Sequence, residues 1–235
     1  MSHTKKLENH DLANKKNLAN IIHDGRFKVA IFGSARIKPG EKTYEEISDF
    51  AKKLATKGYD IVTGGGPGAM EAASRGHHEA CQDKHESQAI GINIELPFEQ
   101  KPNQYLDITE STSTFSARLD TFMLLSHIFV VAPGGIGTLL ELFYTWQLME
   151  VWHICRAPII LWGDDYKELQ SYIQHALVEK WFVKSDEAEL AIQVNDPEQV
   201  LALIDEAHKA HELLGENACV NIHQYMAGAR RLGLI

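Results

Sequence analysis

From Lys28 onward, short apolar runs alternate with stretches whose apolar residues recur at helical spacing. The runs are Lys28–Phe32 (KVAIF), Asp60–Thr63 (DIVT), Gln88–Ile94 (QAIGINI), Ile128–Ala132 (IFVVA), Pro158–Trp162 (PIILW) and Ala191–Val194 (AIQV). They lack an in/out alternation, which predicts strands buried on both faces of a parallel sheet. Between them, Tyr44, Ile47, Phe50, Ala51 and Leu54 form one helical stripe, and Leu139, Leu142, Phe143, Trp146 and Met149 another. Asp196-Pro197 is a start signal with proline at the first helical position, and Val200, Leu201, Ile204 and Ala207 form the stripe behind it.

Strand–helix alternation of this length predicts an α/β fold, a Rossmann-like, doubly wound, mostly parallel sheet with helices on both faces. Right-handed crossovers then place the loops after the strands along one edge, where ligands bind. No internal repeat or low-complexity linker divides the chain, so residues 25–214 are expected to form one domain. Residues 1–24, with Leu18, Ile21 and Ile22, read as an N-terminal helical extension. Residues 215–235, with Ile222 and Met226, read as a C-terminal tail.

Composition narrows the field. The chain has 235 residues and a formal net charge of −9, which disfavours a nucleic-acid polymer as partner because a polyanion needs a basic track. No apolar run approaches the roughly 20 residues of a membrane span, and the polar first residues hold no signal-peptide core. The three cysteines, Cys81, Cys155 and Cys219, lie far apart with no CxxC pair, which excludes a disulfide framework and fits a reducing compartment. A cytoplasmic protein without a membrane partner is the expectation.

Three glycine-bearing loops follow three of the strands. In Gly33-Ser34-Ala35-Arg36 the glycine permits a sharp turn, and Ser34 and Arg36 are within reach of a phosphate. Thr63-Gly64-Gly65-Gly66-Pro67-Gly68 has more glycine than a tight turn needs, and a helix starts directly after it. Pro133-Gly134-Gly135-Ile136-Gly137-Thr138 repeats the arrangement, with a hydroxyl beside the free amides of a helix start. Both are candidate cradles for an anion. Neither has the lysine of a Walker A loop or the GxGxxG spacing of a dinucleotide site.

Glu141 follows Thr138 by one helical turn and so projects from the same face. A carboxylate beside a bound phosphate is repelled by it, which suggests a separate task such as steadying positive charge or handling a proton. An N-terminal glutamate that favours the helix dipole is the plainer alternative. Arg118, at the start of the helix leading to the Ile128 strand, is suited to a phosphate or carboxylate, or to a surface salt bridge. No metal site is expected: His77, His78 and His85 with Glu79 lack HExxH spacing and read as an exposed helix and loop. Trp146 and Trp152 read as core or interface residues on an apolar helix.

Together, GSAR, TGGGPGAMEAA, GINIELPFEQKPN and PGGIGTLLE resemble the Lonely Guy (LOG) family, often mislabelled as lysine decarboxylases. The resemblance runs from about Lys28 to Trp162. It implies a nucleotide 5′-monophosphate phosphoribohydrolase, a glycosidase that releases the free base and ribose 5-phosphate from AMP or N6-modified AMP, a cytokinin-type activity. It also implies a homodimer or larger homo-oligomer and requires no cofactor. Carried onto this sequence, Glu141 and Arg118 match the catalytic pair. Gly134, Gly135, Gly137 and Thr138 match the phosphate loop, and Gly64, Gly65, Gly66 and Gly68 the second nucleotide-binding loop. Leu119 stands where the family usually has lysine, removing a charge expected near the nucleotide. The helix after Glu141 offers Thr145 or Trp146 to the base or to a partner subunit. A non-catalytic nucleotide or pterin-cofactor carrier on the same fold is the alternative.

Overall fold

The structure, a computed structural model, describes residues 18, 20–81, 87–95, 101–215, 230, 231 and 233. Strands β1 (Lys28–Phe32), β2 (Asp60–Thr63), β3 (Ala89–Ile94), β4 (Ile108–Thr112), β5 (Ile128–Val131), β6 (Ile159–Trp162) and β7 (Ala191–Val194) form one sheet. Their order is β4-β3-β2-β1-β5-β6-β7, and every neighbouring pair is parallel. The chain leaves β1 in one direction and returns beside it at β5, so the strand order reverses between them. In such sheets that reversal opens a crevice at the carboxyl ends of the strands.

Successive residues of each strand enter opposite layers. Val29 and Ile31 pack under helices α1 (Lys42–Thr56), α2 (Ala69–Ala80) and α7 (Pro197–Leu214). Ala30 and Phe32 pack under α3 (Phe115–Leu125), α4 (Ile136–Glu150) and α5 (Tyr166–Tyr172). A π-helical turn, Ile173–Val178, extends α5, and the short α6 (Ser185–Ala188) precedes β7. The α1 stripe follows the expected face, with Tyr44, Ile47, Phe50 and Leu54 all buried, whereas Phe143 of the α4 stripe is exposed. Asp196 caps α7 by accepting from the Glu198 amide at 2.9 Å, with Pro197 in the first turn.

Strand β4 was absent from the hydrophobic pattern. Its sequence is ITEST, and it lies on the sheet edge with only Glu110 buried, so it carries no apolar run. His77 also departs from the expectation of an exposed helix: it is fully buried on α2, its Nε2 within 3.1 Å of the Tyr59 carbonyl and 3.0 Å of Ser87 Oγ. His85 lies outside the described residues, as do Ile222 and Met226 of the tail. Cys155 is disulfide-bonded, which the wide cysteine spacing does not predict. No described helix is long and apolar enough to cross a membrane.

At the amino-terminal end of the strands sits an ionic cluster. Lys28 and Asp60 are both buried, with Lys28 Nζ 3.8 Å and Arg26 Nε 3.3 Å from Asp60 Oδ2. Asp60 Oδ1 also accepts from the Gln88 amide at 2.8 Å, tying β2 to the start of β3. Burial outweighs these partners and pushes the Asp60 carboxyl up to about 6.

Candidate active site

At the carboxyl edge, where the strand order reverses, lies a cavity of about 520 Å³. Its wall takes Gly33, Ser34 and Arg36 from the loop after β1, Gly64 from the loop after β2, and Gly135, Gly137 and Thr138 from the start of α4. Arg118 of α3 and Glu141 of α4 complete it. The three glycine loops, spread between Gly33 and Thr138 in the sequence, therefore meet in one place because their strands are parallel.

The two long glycine loops differ. At α4, Leu139 is the first amide bonded back into the helix, to the Gly135 carbonyl at 3.0 Å. The preceding amides have no carbonyl within the helix to bond. A side chain at Gly135 or Gly137 would meet nothing within 4 Å, so open space lies over these amides. At α2, by contrast, the Ala69 amide donates to the Ser34 carbonyl at 2.8 Å. Asn103 donates to the Gly65 and Gly66 carbonyls, at 3.2 Å each from its side chain. Gly65, Gly66, Gly68 and Gly134 do not line the cavity; they shape the turns behind it. The open anion cradle is at α4.

Arg118 is fixed by its surroundings. Thr114 caps α3, accepting from the Ala117 amide at 3.1 Å, and so sets where the helix begins. Arg118 Nε donates to the Ile92 carbonyl at 2.8 Å and Nη2 to the Gly64 carbonyl at 3.4 Å. The guanidinium lies 5.5 Å from the centre of the Phe122 ring. Gly64 is where a side chain is forbidden: a Cβ there would overlap Arg118 Nη2. The remaining edge, Nη1, stands 3.8 Å from Glu141 Oε1.

Glu141 is mostly buried, with 14% of its side chain exposed. Burial raises its carboxyl to about 7, and the Arg118 charge opposes that rise only in part. Burial likewise lowers Arg118 from its ordinary value, with Glu141 pulling the other way. A carboxyl poised near neutrality and facing a guanidinium can exchange a proton with water or carry negative charge toward a cation.

Sequence reasoning missed Asn93, Met70 and Phe115, which also line the cavity. Thr145 and Trp146 do not reach it. Thr145 is buried and donates to the Glu141 carbonyl at 2.7 Å, and the Trp146 indole donates to the Glu187 carbonyl at 2.9 Å. Trp152 lies beyond α4, exposed at a positive φ of 59°, with Arg156 over its ring. Leu119 is buried and is not on the cavity wall, so its side chain replaces no charge there.

A family model described as possible lysine decarboxylase matches residues 70–204, more than half of the chain. The chain belongs to that family, the Lonely Guy family. Among its relatives is the pyrimidine/purine nucleotide 5′-monophosphate nucleosidase of Escherichia coli K12, 28% identical over 193 residues. The alignment covers 75% of this chain but only 42% of that enzyme, so the chain spans less than half of its length. The cytokinin riboside 5′-monophosphate phosphoribohydrolase LOG4 of Arabidopsis thaliana is 25% identical over 208 residues, covering 84% of this chain and 90% of that one. Among solved structures, the molybdenum cofactor carrier protein of Chlamydomonas reinhardtii superposes with a TM-score of 0.60 at 21% identity, covering 78% of this chain and 99% of that one. The protein TM1055 superposes at 0.59 with 23% identity, covering 76% and 98%. Both share the fold. As for the decarboxylase description, no lysine is among the described residues lining the cavity, and Schiff-base chemistry needs one.

Proposed function

We propose that the protein hydrolyses the N-glycosidic bond of a purine nucleoside 5′-monophosphate, AMP or an N6-modified AMP, to free base and ribose 5-phosphate. One observation carries this reading: the buried Glu141 carboxyl faces Arg118 at 3.8 Å, one helical turn from the open amides of α4, in a single cavity. The names of the curated relatives support it. Gly135, Gly137 and Thr138 bind the 5′-phosphate, using the helix dipole and amides rather than a cluster of cations. A protein of net charge −9 can therefore hold one phosphate while offering no track to a polyanion.

With the phosphate anchored at the start of α4, C1′ of the ribose comes opposite Glu141. Cleavage passes through an oxocarbenium-like state, which a nearby carboxylate stabilises. Water adds to C1′ and gives a proton to the Glu141 carboxylate. The electron pair of the C1′–N bond leaves with the base, which takes up a proton. Arg118 is held by two backbone carbonyls and so favours the ionised form of Glu141 and holds it in place at the moment of attack.

Self-association belongs to the same reading. Leu124 on α3 and Leu140 and Phe143 on α4 are exposed, so these helices carry apolar residues on their outer faces as well as their inner ones. A second copy covering that face would close over the helices that carry Arg118 and Glu141.

The test is incubation with a panel of nucleoside monophosphates, followed by chromatography for free base and ribose 5-phosphate. Release from AMP with little from adenosine supports the reading. Equal rates on both would refute the phosphate anchor. Recovery of intact bound ligand would favour the alternative, a non-catalytic nucleotide or pterin-cofactor carrier.

A further inference from the structure

Asn93 is the penultimate residue of β3 and is 9% exposed, and that small exposed part lines the cavity. Its backbone carbonyl is used, accepting from Thr112 Oγ1 at 3.0 Å. Its carboxamide has no hydrogen-bond partner among the described residues, and it is not one of the fully enclosed polar groups, so it stays accessible from the cavity. The carboxamide is wedged against Gly65, which has a φ of +68°, and a Cβ at Gly65 would overlap it. Backbone on one side fixes the amide, and the cavity takes the other.

The position across the sheet suggests what it waits for. The open amides of α4 follow β5. Arg118 bonds the Ile92 and Gly64 carbonyls, at the ends of β3 and β2, through Nε and Nη2 and turns Nη1 to Glu141 of α4, so the pair meets between those strand ends and α4. Asn93 comes next, on the outer side of that point, about three strand spacings or roughly 14 Å from β5. The sequence is thus anion cradle, carboxyl, then unpartnered amide, which is the order phosphate, C1′ and base along an extended mononucleotide.

We propose that the Asn93 carboxamide is the specificity-determining contact to the nucleobase, bonding its polar edge. This rests on the nucleotide reading of the cavity. An amide presents both a donor and an acceptor, so it pairs with a base edge that carries both and leaves a mismatched edge unsatisfied.

The experiment compares wild type with Asn93→Ala and with Asn93→Leu, which keeps the volume should the smaller side chain loosen β3. Each is assayed on AMP, GMP, CMP, UMP and 2′-deoxy-AMP, and its affinity for ribose 5-phosphate is measured by calorimetry. Both variants are expected to lose about tenfold in kcat/KM on the best nucleotide, with the preference among bases flattened. Ribose 5-phosphate binding is expected to stay unchanged. Base preference that survives in both folded variants would overturn the proposal. So would loss of discrimination against the 2′-deoxy substrate in place of base preference, which would assign Asn93 to the sugar. If wild type releases no base from any nucleotide, the hydrolase reading fails on its own. Calorimetry with the same nucleotides then decides: selective loss of nucleotide affinity in the variants supports Asn93, and unchanged affinity, or no nucleotide binding by wild type, refutes it.

Discussion

Nη1 of Arg118 stands 3.8 Å from Oε1 of Glu141, close enough to attract but too far for a hydrogen bond. The pair therefore offsets only part of what burial does to each charge, and Glu141 keeps a carboxyl near 7. That leaves it both reactive and destabilising.

The reactive side predicts a pH profile. As the base that takes a proton from water, Glu141 must be ionised, so kcat/KM should rise with pH and level off above about 7. Glu141→Gln should abolish base release while ribose 5-phosphate still binds. An active Gln variant would remove Glu141 from the mechanism.

The destabilising side predicts a stability profile. A carboxyl raised from 4.5 to about 7 holds its proton in the folded state where the unfolded chain has lost it. Its effect on stability is thus neutral below 4.5 and grows more unfavourable as pH rises to 7. Glu141→Gln should match wild type in thermal unfolding at acid pH and exceed it at pH 8 by on the order of 1–3 kcal/mol. Equal midpoints at pH 8 would contradict the burial argument.

Gly137→Ala should separate binding from folding. The position is helical and a methyl there meets nothing within 4 Å, so the variant should be as stable as wild type or gain about 0.5–1 kcal/mol. The methyl would occupy space assigned to the phosphate. We expect ribose 5-phosphate affinity to fall about tenfold or more, as read by calorimetry.

Gly64→Ala should act through Arg118. The added carbon displaces Nη2 while the backbone there needs no left-handed conformation. A fall in kcat of about 10–100-fold is expected, with the phosphate end still binding. Steady-state kinetics beside ribose 5-phosphate titration would show the split.

Asp60→Ala should be costly to the fold. It leaves buried Lys28 with Asp24 and the Arg26 carbonyl as its partners and strips the Gln88 amide of its acceptor. A loss of about 3 kcal/mol in denaturant unfolding is expected. Base release, measured well below the unfolding transition, should persist.

Six of the seven strands were legible as apolar runs, because a strand covered on both faces leaves little room for polar residues. β4 was hidden because an edge strand needs no such run, and ITEST has the composition of a loop. Glycine density marked the loops of the cavity but could not say which amides stay open, since the Ala69 amide is taken up by the Ser34 carbonyl arriving from elsewhere. Asn93 shows the same limit. A lone amide near the end of an apolar strand, at a sheet's ligand-binding edge, was the available signal. Only the packing of Gly65 against it, and its place on the cavity wall, make the amide a contact.

The all-parallel sheet also sorts the chain's liabilities by end. The Asp60–Lys28 cluster knots the strands together at their amino ends, while Glu141, the open amides and Asn93 lie at the carboxyl ends. Changes at the carboxyl edge therefore leave the anchoring edge untouched. A fold divided this way can exchange one base preference for another by small steps and stay folded at each of them.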